Sequence, residues 1–222
     1  ILGGSSMSIS TVIKDGESVH AGTVLGSAVG STRLLLQGER TALNLLSHLS
    51  AIATATRAWA EALGDSTTKV RDTRKTTPGM RTLEKYAVRC GGGLNHRMNL
   101  SDAALIKDNH VVAAGGVARA YELIKQRYPD LSVEVEVDSL DQLAEALEVG
   151  ADLVLLDNFT IEELNSAVDF TRGRAKLEAS GGFTFDQAKA VASTGVDFVA
   201  VGAITHSAPV LDIGADLRME SI

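Results

Sequence analysis

The sequence is poor in cysteine, proline and aromatic residues: it has one cysteine, Cys90, three prolines and 4% aromatics among 222 positions. A lone cysteine excludes an internal disulfide, a CxxC redox pair and a cysteine-rich zinc site, and it fits a reducing compartment such as the cytoplasm. No apolar run reaches the roughly 18 residues that a membrane-spanning helix needs. Residues 1–7 also lack the basic and apolar blocks of a secretory signal. These absences predict a cytoplasmic protein with no membrane partner.

The composition that is present, 45% hydrophobic and 22% charged, excludes a disordered chain. It is typical of one globular unit with a sizeable core, or of a barrel with a smaller appendage. The chain begins with Ile1 rather than methionine, and we expect an upstream part of its first domain to be missing from the sequence.

The formal net charge of −7 argues against a nucleic-acid-binding surface spread over the molecule. The stretch 71–110 nonetheless holds eight basic and four acidic residues, a net +4, which leaves −11 for the rest of the chain. A basic segment inside an acidic chain favours a pocket for a small anion, because the surrounding surface repels polyanions. Within this stretch, Arg81, Lys85 and Arg89 have a helical spacing that is equally typical of a solvated helix face.

The first forty residues are rich in glycine, serine, threonine and valine, a composition typical of short strands joined by tight turns. We predict strands over Ser8–Ile13, Ser18–Leu25 and Arg33–Leu36. Glu39–Leu63 then contains neither proline nor glycine and repeats apolar residues at helical intervals. This pattern predicts one long helix that links two domains and ends at Gly64.

After Gly64 the pattern alternates between short apolar runs and amphipathic helical stretches, which is typical of β/α units around a parallel sheet. The predicted strands are Lys69–Asp72, Ala104–Lys107, Ser132–Val137, Leu153–Leu156, Ala175–Ala179 and Phe198–Val201, and the predicted helices are Met80–Cys90, Val117–Tyr128, Leu140–Val149, Ile161–Thr171 and Phe185–Thr194. We therefore predict the α/β class and an incomplete (β/α) barrel of about six or seven parallel strands, because a full eightfold barrel takes roughly 250 residues. The barrel is assigned to residues 64–207, the first domain and linking helix to 1–63, and an extended segment that returns to the first domain to 208–222.

Polar or glycine residues follow every predicted barrel strand, at the carboxyl ends where barrels of this kind place their working face. They are Arg74 and Lys75, Lys107 to Asn109, Glu136 and Asp138, Asp157 and Asn158, Ser180 to Gly182, and Gly202 and Ala203. Glycines between a strand and a helix let the backbone approach a ligand, and a helix start presents free N–H groups to a phosphate. The last two loops therefore predict a phosphate site, with plain helix-capping turns as the alternative.

Carboxylates at two neighbouring strand ends, Glu136 and Asp157, are suited to hydrated Mg²⁺ or to the hydroxyls of a ribose. Strand alternation puts Glu134, Glu136 and Asp138 on one face, which in a barrel points inward. Buried carboxylates need partners, and Lys75 and Lys107 are the expected counter-ions. The same residues are compatible with simple buried ion pairs.

Eight ordered motifs carry a resemblance that spans about residues 16–216. They are Glu39 to Asn44, Ile52 to Thr56, Asp72 to Gly79, Gly91 to Arg97, Leu105 to His110, Val135 to Val137 with Leu156 to Asn158, Glu178 to Gly182, and Val201 to Ser207. In this order the sequence resembles the quinolinate phosphoribosyltransferase family. The resemblance implies an N-terminal α/β sandwich domain before the barrel, and a homodimer, or dimers assembled into hexamers, with active sites completed across the interface.

The resemblance also implies the reaction. Quinolinate and phosphoribosyl pyrophosphate, with Mg²⁺, would give nicotinate mononucleotide, pyrophosphate and carbon dioxide in NAD biosynthesis. By motif, quinolinate would meet Arg74, His96, Arg97 and Lys107, together with Arg40 of the neighbouring subunit. Lys75 and Lys107 would face pyrophosphate, while Glu136 and Asp157 would hold ribose hydroxyls and hydrated Mg²⁺; Lys107, Glu136 and Asp157 are the expected catalytic residues. The phosphate end would lie against Ser180, Gly181, Gly182, Gly202, Ala203 and His206.

Three alternatives stay open on the residues alone. A paralogous phosphoribosyltransferase of the same fold would act on another substrate, although Arg74, His96 and Arg97 favour quinolinate. A Schiff-base barrel aldolase would use Lys107 as its nucleophile. A non-catalytic module would bind a phosphorylated sugar without turning it over.

Overall fold

The computed structural model describes residues 7–218, and it begins with a two-stranded antiparallel sheet. Strand β1, Met7–Thr11, pairs with β2, Gly26–Gly30, with Met7 opposite Gly30. The prediction of strands over Ser18–Leu25 and Arg33–Leu36 was wrong. The first range precedes the second strand, and the second range is helical because Ser31 accepts a hydrogen bond from the Leu34 N–H and caps a helix there.

Helix α1 spans Thr32–Ala62, and its 31 residues extend about 46 Å at 1.5 Å per residue. It begins seven residues before the predicted start, because the cap at Ser31 lies upstream of Gly38 and the helix continues through that glycine. It ends as predicted, where Gly64 takes a positive φ of 63°. Among the buried residues of this helix are Ile52 and Trp59, so this helix contributes directly to the hydrophobic core.

Six parallel strands follow and form one sheet. They are β3 (Lys69–Arg71), β4 (Ala104–Ile106), β5 (Val133–Val137), β6 (Leu153–Asp157), β7 (Lys176–Ser180) and β8 (Phe198–Ala200). The strands from β4 to β8 pair in sequence order, each with the one after it. The last strand, β8, also pairs with β3, so the sheet is open between β3 and β4. The predicted incomplete barrel is confirmed with six strands.

The helices on the sheet are α2 (Arg81–Cys90), α3 (Asp108–Ala114), α4 (Val117–Arg127), α5 (Leu140–Glu148), α6 (Ile161–Thr171), α7 (Ala188–Thr194) after a 3₁₀ turn at Phe185–Gln187, and α8 (Ala203–His206). The sequence analysis missed α3 and α8, which start directly at the strand ends after Lys107 and Gly202. Both are short, and polar or glycine residues at their starts gave them the pattern of loops. Within residues 7–218, no helix has both the length and the apolarity needed to cross a membrane.

Side chains from alternate strands meet inside the curved sheet. Arg71 of β3 forms an ion pair with Glu178 of β7 and lies 3.9 Å from a carboxylate oxygen of Glu134 on β5. Contacts among alternate strands are those of an interior layer of a barrel. The expected inward direction of Glu134 is confirmed. Lys107 pairs with Glu136 on the same acidic face, as predicted, whereas Glu134 is approached by Arg71 and His96, which were not predicted as its partners.

Candidate active site

The segment after β3 is fixed by the buried carboxylate of Asp72. Asp72 pairs with the ammonium of Lys85 and accepts hydrogen bonds from Asn95 Nδ2 at 2.6 Å and from the His96 N–H at 2.8 Å. Lys85 Nζ also donates to the His96 carbonyl at 2.9 Å. Lys85 is buried, so a solvated position for it on the helix face was the wrong alternative. The network joins the end of β3 to the segment that carries His96.

His96 is buried, with 8% of its surface exposed, and both of its ring nitrogens are engaged within the chain. Nδ1 accepts from the Arg97 N–H at 2.8 Å, and Nε2 lies 2.7 Å from Glu134 and 3.6 Å from Glu178. Because Nδ1 accepts, the ring proton is assigned to Nε2, from which it is donated to Glu134. His96 therefore anchors the backbone of Arg97, and direct contact between its ring and quinolinate stays a prediction.

The carboxylates of Glu134 and Glu178 form a buried cluster with His96 that was not predicted from the sequence. Burial, and then repulsion from Glu134, raise the pKa of Glu178 to about 8, against the opposing effect of Arg71. One histidine and two carboxylates resemble the ligands of a metal centre, and these three groups do lie close together. Arg71 already supplies a positive charge there, since it pairs with Glu178 and approaches Glu134. The signal in the sequence was the strict alternation of acids along β5.

Two arginines at the rim have guanidinium donors that no group within the described residues accepts. The Nε atoms of Arg74 and Arg97 are buried and have no hydrogen-bond partner. Burial lowers the pKa of Arg97, and repulsion from Arg74 lowers it further. Two neighbouring guanidinium groups, each with an unpartnered N–H, favour an anionic ligand, since an unpartnered buried donor is costly.

Lys107 and the two predicted acids lie at adjacent strand ends. Lys107 Nζ is 2.5 Å from Glu136 Oε2, and the lysine side chain remains 46% exposed. Asp157 ends β6 and accepts from Asn158 Nδ2 at 2.7 Å. The carboxylates of Glu136 and Asp157 therefore occupy neighbouring strands, as predicted, and each has an ordered polar partner.

The glycine loops adopt backbone conformations that only glycine reaches easily. Gly181 and Gly182 have φ values of 121° and 70° after β7. A Cβ atom at Gly202 would lie 3.2 Å from His206 Nε2 and 3.2 Å from Lys75 Cδ, so these two side chains meet over that glycine. Thr205 Oγ1 donates to the Lys75 carbonyl at 2.8 Å and ties the last loop to the first. Ala203 is the first residue of α8 and is exposed, and Ser180 is the last residue of β7.

Arg40 is a predicted site residue that makes none of these rim contacts within the part of the single chain that the structure describes. It lies exposed on α1, within the described residues it makes no side-chain hydrogen bond or ion pair, and its expected role depends on a second subunit. The other predicted residues follow the barrel strands or lie in the segments packed beside them. Fold and rim together define an α/β-barrel protein with basic, acidic and glycine residues gathered at the carboxyl ends of its strands.

Comparisons with known proteins agree with this class. Residues 1–50 match the family model for the quinolinate phosphoribosyl transferase N-terminal domain, and residues 52–216 match that for the C-terminal domain. The chain is 50% identical to a Mycobacterium leprae nicotinate-nucleotide pyrophosphorylase [carboxylating] over 92% of this chain and 73% of that protein. A probable enzyme of the same name from Bacillus subtilis is 43% identical over 94% of this chain and 72% of its own length.

Solved structures give the same result. The nicotinate-nucleotide pyrophosphorylase of Francisella tularensis superimposes with a TM-score of 0.91 and 44% identity, over 94% of this chain and 75% of that one. The enzyme of that name from Ehrlichia chaffeensis gives a TM-score of 0.92 at 37% identity, over 95% and 77%. The chain belongs to the quinolinate phosphoribosyltransferase family, as its motifs predicted.

Proposed function

We propose that this chain transfers phosphoribosyl from phosphoribosyl pyrophosphate to quinolinate with loss of carbon dioxide, giving nicotinate mononucleotide and pyrophosphate for NAD biosynthesis. The observation that carries the proposal is the pair of buried, unpartnered Nε donors on Arg74 and Arg97. Guanidinium groups match carboxylates in bidentate geometry, and two of them suit two adjacent carboxylates. Family membership supplies the substrate to which this geometry is matched.

The sugar substrate would occupy the other half of the rim. Glu136 and Asp157 would accept hydrogen bonds from ribose hydroxyls, while Lys75 and Lys107 would face the pyrophosphate. The 5′-phosphate would lie against Gly181, Gly182 and the start of α8, where backbone N–H groups are free to donate. His206 and Lys75, which meet over Gly202, would supply positive charge at that end.

The chemistry depends on positioning and charge. Departure of pyrophosphate from C1 leaves an oxocarbenium-like sugar, and the pyridine nitrogen donates its lone pair to that carbon, so no protein nucleophile is required. The ring nitrogen then carries a positive charge. When the 2-carboxylate leaves as carbon dioxide, that nitrogen stabilises the electron pair left on C2, which then takes up a proton. Lys107 would act as a cation toward both leaving phosphate and substrate carboxylate, consistent with its pairing to Glu136.

Mg²⁺ fits the donor chemistry of the acidic half of the site. The carboxylate of Glu136 is only 14% exposed and that of Asp157 is half-buried, and both offer the oxygen ligands that Mg²⁺ takes, usually through its own waters. When bound, the ion would neutralise charge on the leaving pyrophosphate. The assembly we propose is a homodimer, with Arg40 donated across the interface. The free thiol of Cys90 fits the reducing cytoplasm as the compartment.

Release of carbon dioxide from carboxyl-labelled quinolinate tests the proposal directly. We expect release only when phosphoribosyl pyrophosphate and quinolinate are both present, with nicotinate mononucleotide formed in equal amount. Arg74→Gln and Arg97→Gln should lose most of this activity, whereas Arg119→Gln, which removes an exposed arginine paired with Glu122, should retain it. Equal turnover of nicotinate, or formation of a borohydride-reducible adduct on Lys107, would contradict the proposed function.

A further inference from the structure

Arg81, at the first position of α2, bridges the two segments that carry the rim arginines. Its Nε donates to Thr76 Oγ1 at 3.0 Å, and its Nη2 donates to the Arg74 carbonyl at 3.3 Å. Its Nη1 donates to the Met98 carbonyl at 3.1 Å. One planar guanidinium group therefore holds the segment after β3 and the segment after His96 at a fixed separation.

The position of Arg81 is costly for the helix itself. A cation at the first position of a helix faces the positive end of the helix dipole. The stability of the helix therefore does not account for it. Its hydrogen bonds do, since all three donors point to main-chain or hydroxyl acceptors that lie outside the helix.

The Asp72 network joins the two segments where they begin, and Arg81 joins them again further along, at Arg74, Thr76 and Met98. The segment 97–103 is closed on itself: Asp102 accepts from the Met98 and Asn99 N–H groups at 2.6 and 3.1 Å, and Arg97 Nη1 donates to the Ala103 carbonyl at 3.1 Å. The loop is attached to the barrel interior at one end, where the Arg97 N–H donates to His96 Nδ1 at 2.8 Å. On the other segment, the first turn of α2 adds a second contact, from the Thr77 N–H to Glu84 at 3.1 Å.

We propose that Arg81 is a positioning residue that sets the spacing between Arg74 and Arg97, and thereby the affinity for the dicarboxylate substrate. This inference rests on the proposed function, because it assigns those two arginines to the two carboxylates of quinolinate. Arg81 does not touch the substrate in this assignment. It acts through the Arg74 carbonyl and the Met98 carbonyl, and the sugar half of the rim lies outside its contacts.

The test compares Arg81→Gln and Arg81→Lys with the matched control Arg89→Gln in the full-length protein. Arg89 lies on the same helix, is exposed, and packs over the Tyr86 ring. We expect Arg81→Gln to raise the KM for quinolinate roughly tenfold or more, while the KM for phosphoribosyl pyrophosphate changes by less than about threefold. Arg81→Lys should recover only part of the loss, because an ammonium group cannot span three separated acceptors. Arg89→Gln should resemble the unmodified enzyme.

Thr76→Val provides a second measurement that keeps the arginine and removes the Nε contact, together with the 3.5 Å hydrogen bond from Thr76 Oγ1 to the Arg74 carbonyl. It should raise the KM for quinolinate by a smaller factor than Arg81→Gln does. If Arg81→Gln does not fold, this variant tests the positioning role of Arg81. Equal losses for both substrates, or an unchanged quinolinate KM in Thr76→Val and Arg81→Lys, would overturn the positioning role. An unmodified enzyme that fails to release carbon dioxide would instead contradict the proposed function, so the two failures are distinguishable.

Discussion

Asn158 lies so close to Gly181 that a Cβ atom at residue 181 would come within 2.7 Å of the Asn158 backbone nitrogen and 2.6 Å of its Oδ1. Asn158 itself has a left-handed backbone, with φ of 60°, and its N–H donates to the Ser180 carbonyl at 2.9 Å. A non-glycine residue held in this region is strained, and such residues cluster at functional sites. The acidic half of the rim and the glycine loop are thus in direct backbone contact.

Gly181→Ala should disturb the acidic half of the rim and the glycine loop at once. Because the new methyl group would meet backbone atoms rather than a flexible side chain, either the glycine loop or the Asp157–Asn158 corner must move. We expect the KM for phosphoribosyl pyrophosphate to rise by at least about tenfold and Tm to fall by several degrees. Steady-state kinetics and thermal melts measure both. Gly173→Ala, at a positive φ with open space around it, is the control for backbone strain alone and should keep its kinetic constants.

Asn158→Gly separates backbone strain from the hydrogen bond to Asp157. Glycine accepts the left-handed conformation, so the folded backbone should be retained, but the 2.7 Å bond from Nδ2 to Asp157 is lost. We expect a threefold to tenfold rise in the KM for the sugar substrate and little change in that for quinolinate. A change confined to quinolinate would refute the link between Asn158 and the ribose side.

The two halves of the rim should respond in opposite ways to charge removal. Arg97→Ala removes a proposed dicarboxylate contact, and Asp157→Asn removes a proposed ribose or Mg²⁺ contact. We expect the first to weaken quinolinate, and the second to weaken phosphoribosyl pyrophosphate, each by roughly ten- to a hundredfold relative to the other substrate. Binding of each substrate by calorimetry checks this, and equal losses for both would reject the division.

The raised pKa of Glu178 predicts how stability depends on pH. Its pKa is about 8 in the folded protein and near the ordinary 4.5 once unfolded, so between those values the folded state holds a proton that the unfolded chain releases. The contribution of this group to stability therefore falls as pH rises from about 4.5 to about 8.

Glu178→Gln removes that titration and keeps a neutral side chain of the same shape. We expect the decrease in Tm between pH 5.5 and 8.0 to be smaller by about 3–6 °C than in the unmodified protein. Glu162→Gln, an exposed change on α6, should leave the pH profile unaltered. An identical profile for Glu178→Gln would show that Glu178 is ionised throughout this range.

The barrel was predictable because its units repeat a strong pattern. The helix over Ile161–Thr171 was placed exactly, since Thr160 and Glu163 form a capping box and Gly173 follows shortly after its end. The N-terminal elements were harder: the start of α1 depends on a single cap at Ser31, and Leu34 to Leu36 fit a strand or a helix equally well.

For the site, the sequence located the rim residues by their positions after strands, but it could not reveal their partners. Lys107 was correctly placed beside Glu136, whereas the pairing of Glu134 with His96 depends on a contact between elements distant in sequence. The bridging role of Arg81 was equally hidden. Its spacing with Lys85 and Arg89 also fits a solvated face, and only the packed segments around it distinguish the two.

The edge strand β3 has consequences for how the molecule acquires its active form. It forms a ladder with β8, where Lys69 lies opposite Phe198, and on its other side Arg71 forms a bridge with Leu94, so the ladder with β8 forms only after the last strand has been synthesised. Contacts between such distant residues slow folding. A ribosome-bound chain that stops before residue 198 has β3 bridged to Leu94 but without its ladder to β8, and we expect dicarboxylate binding to be among the last properties that a newly made molecule gains.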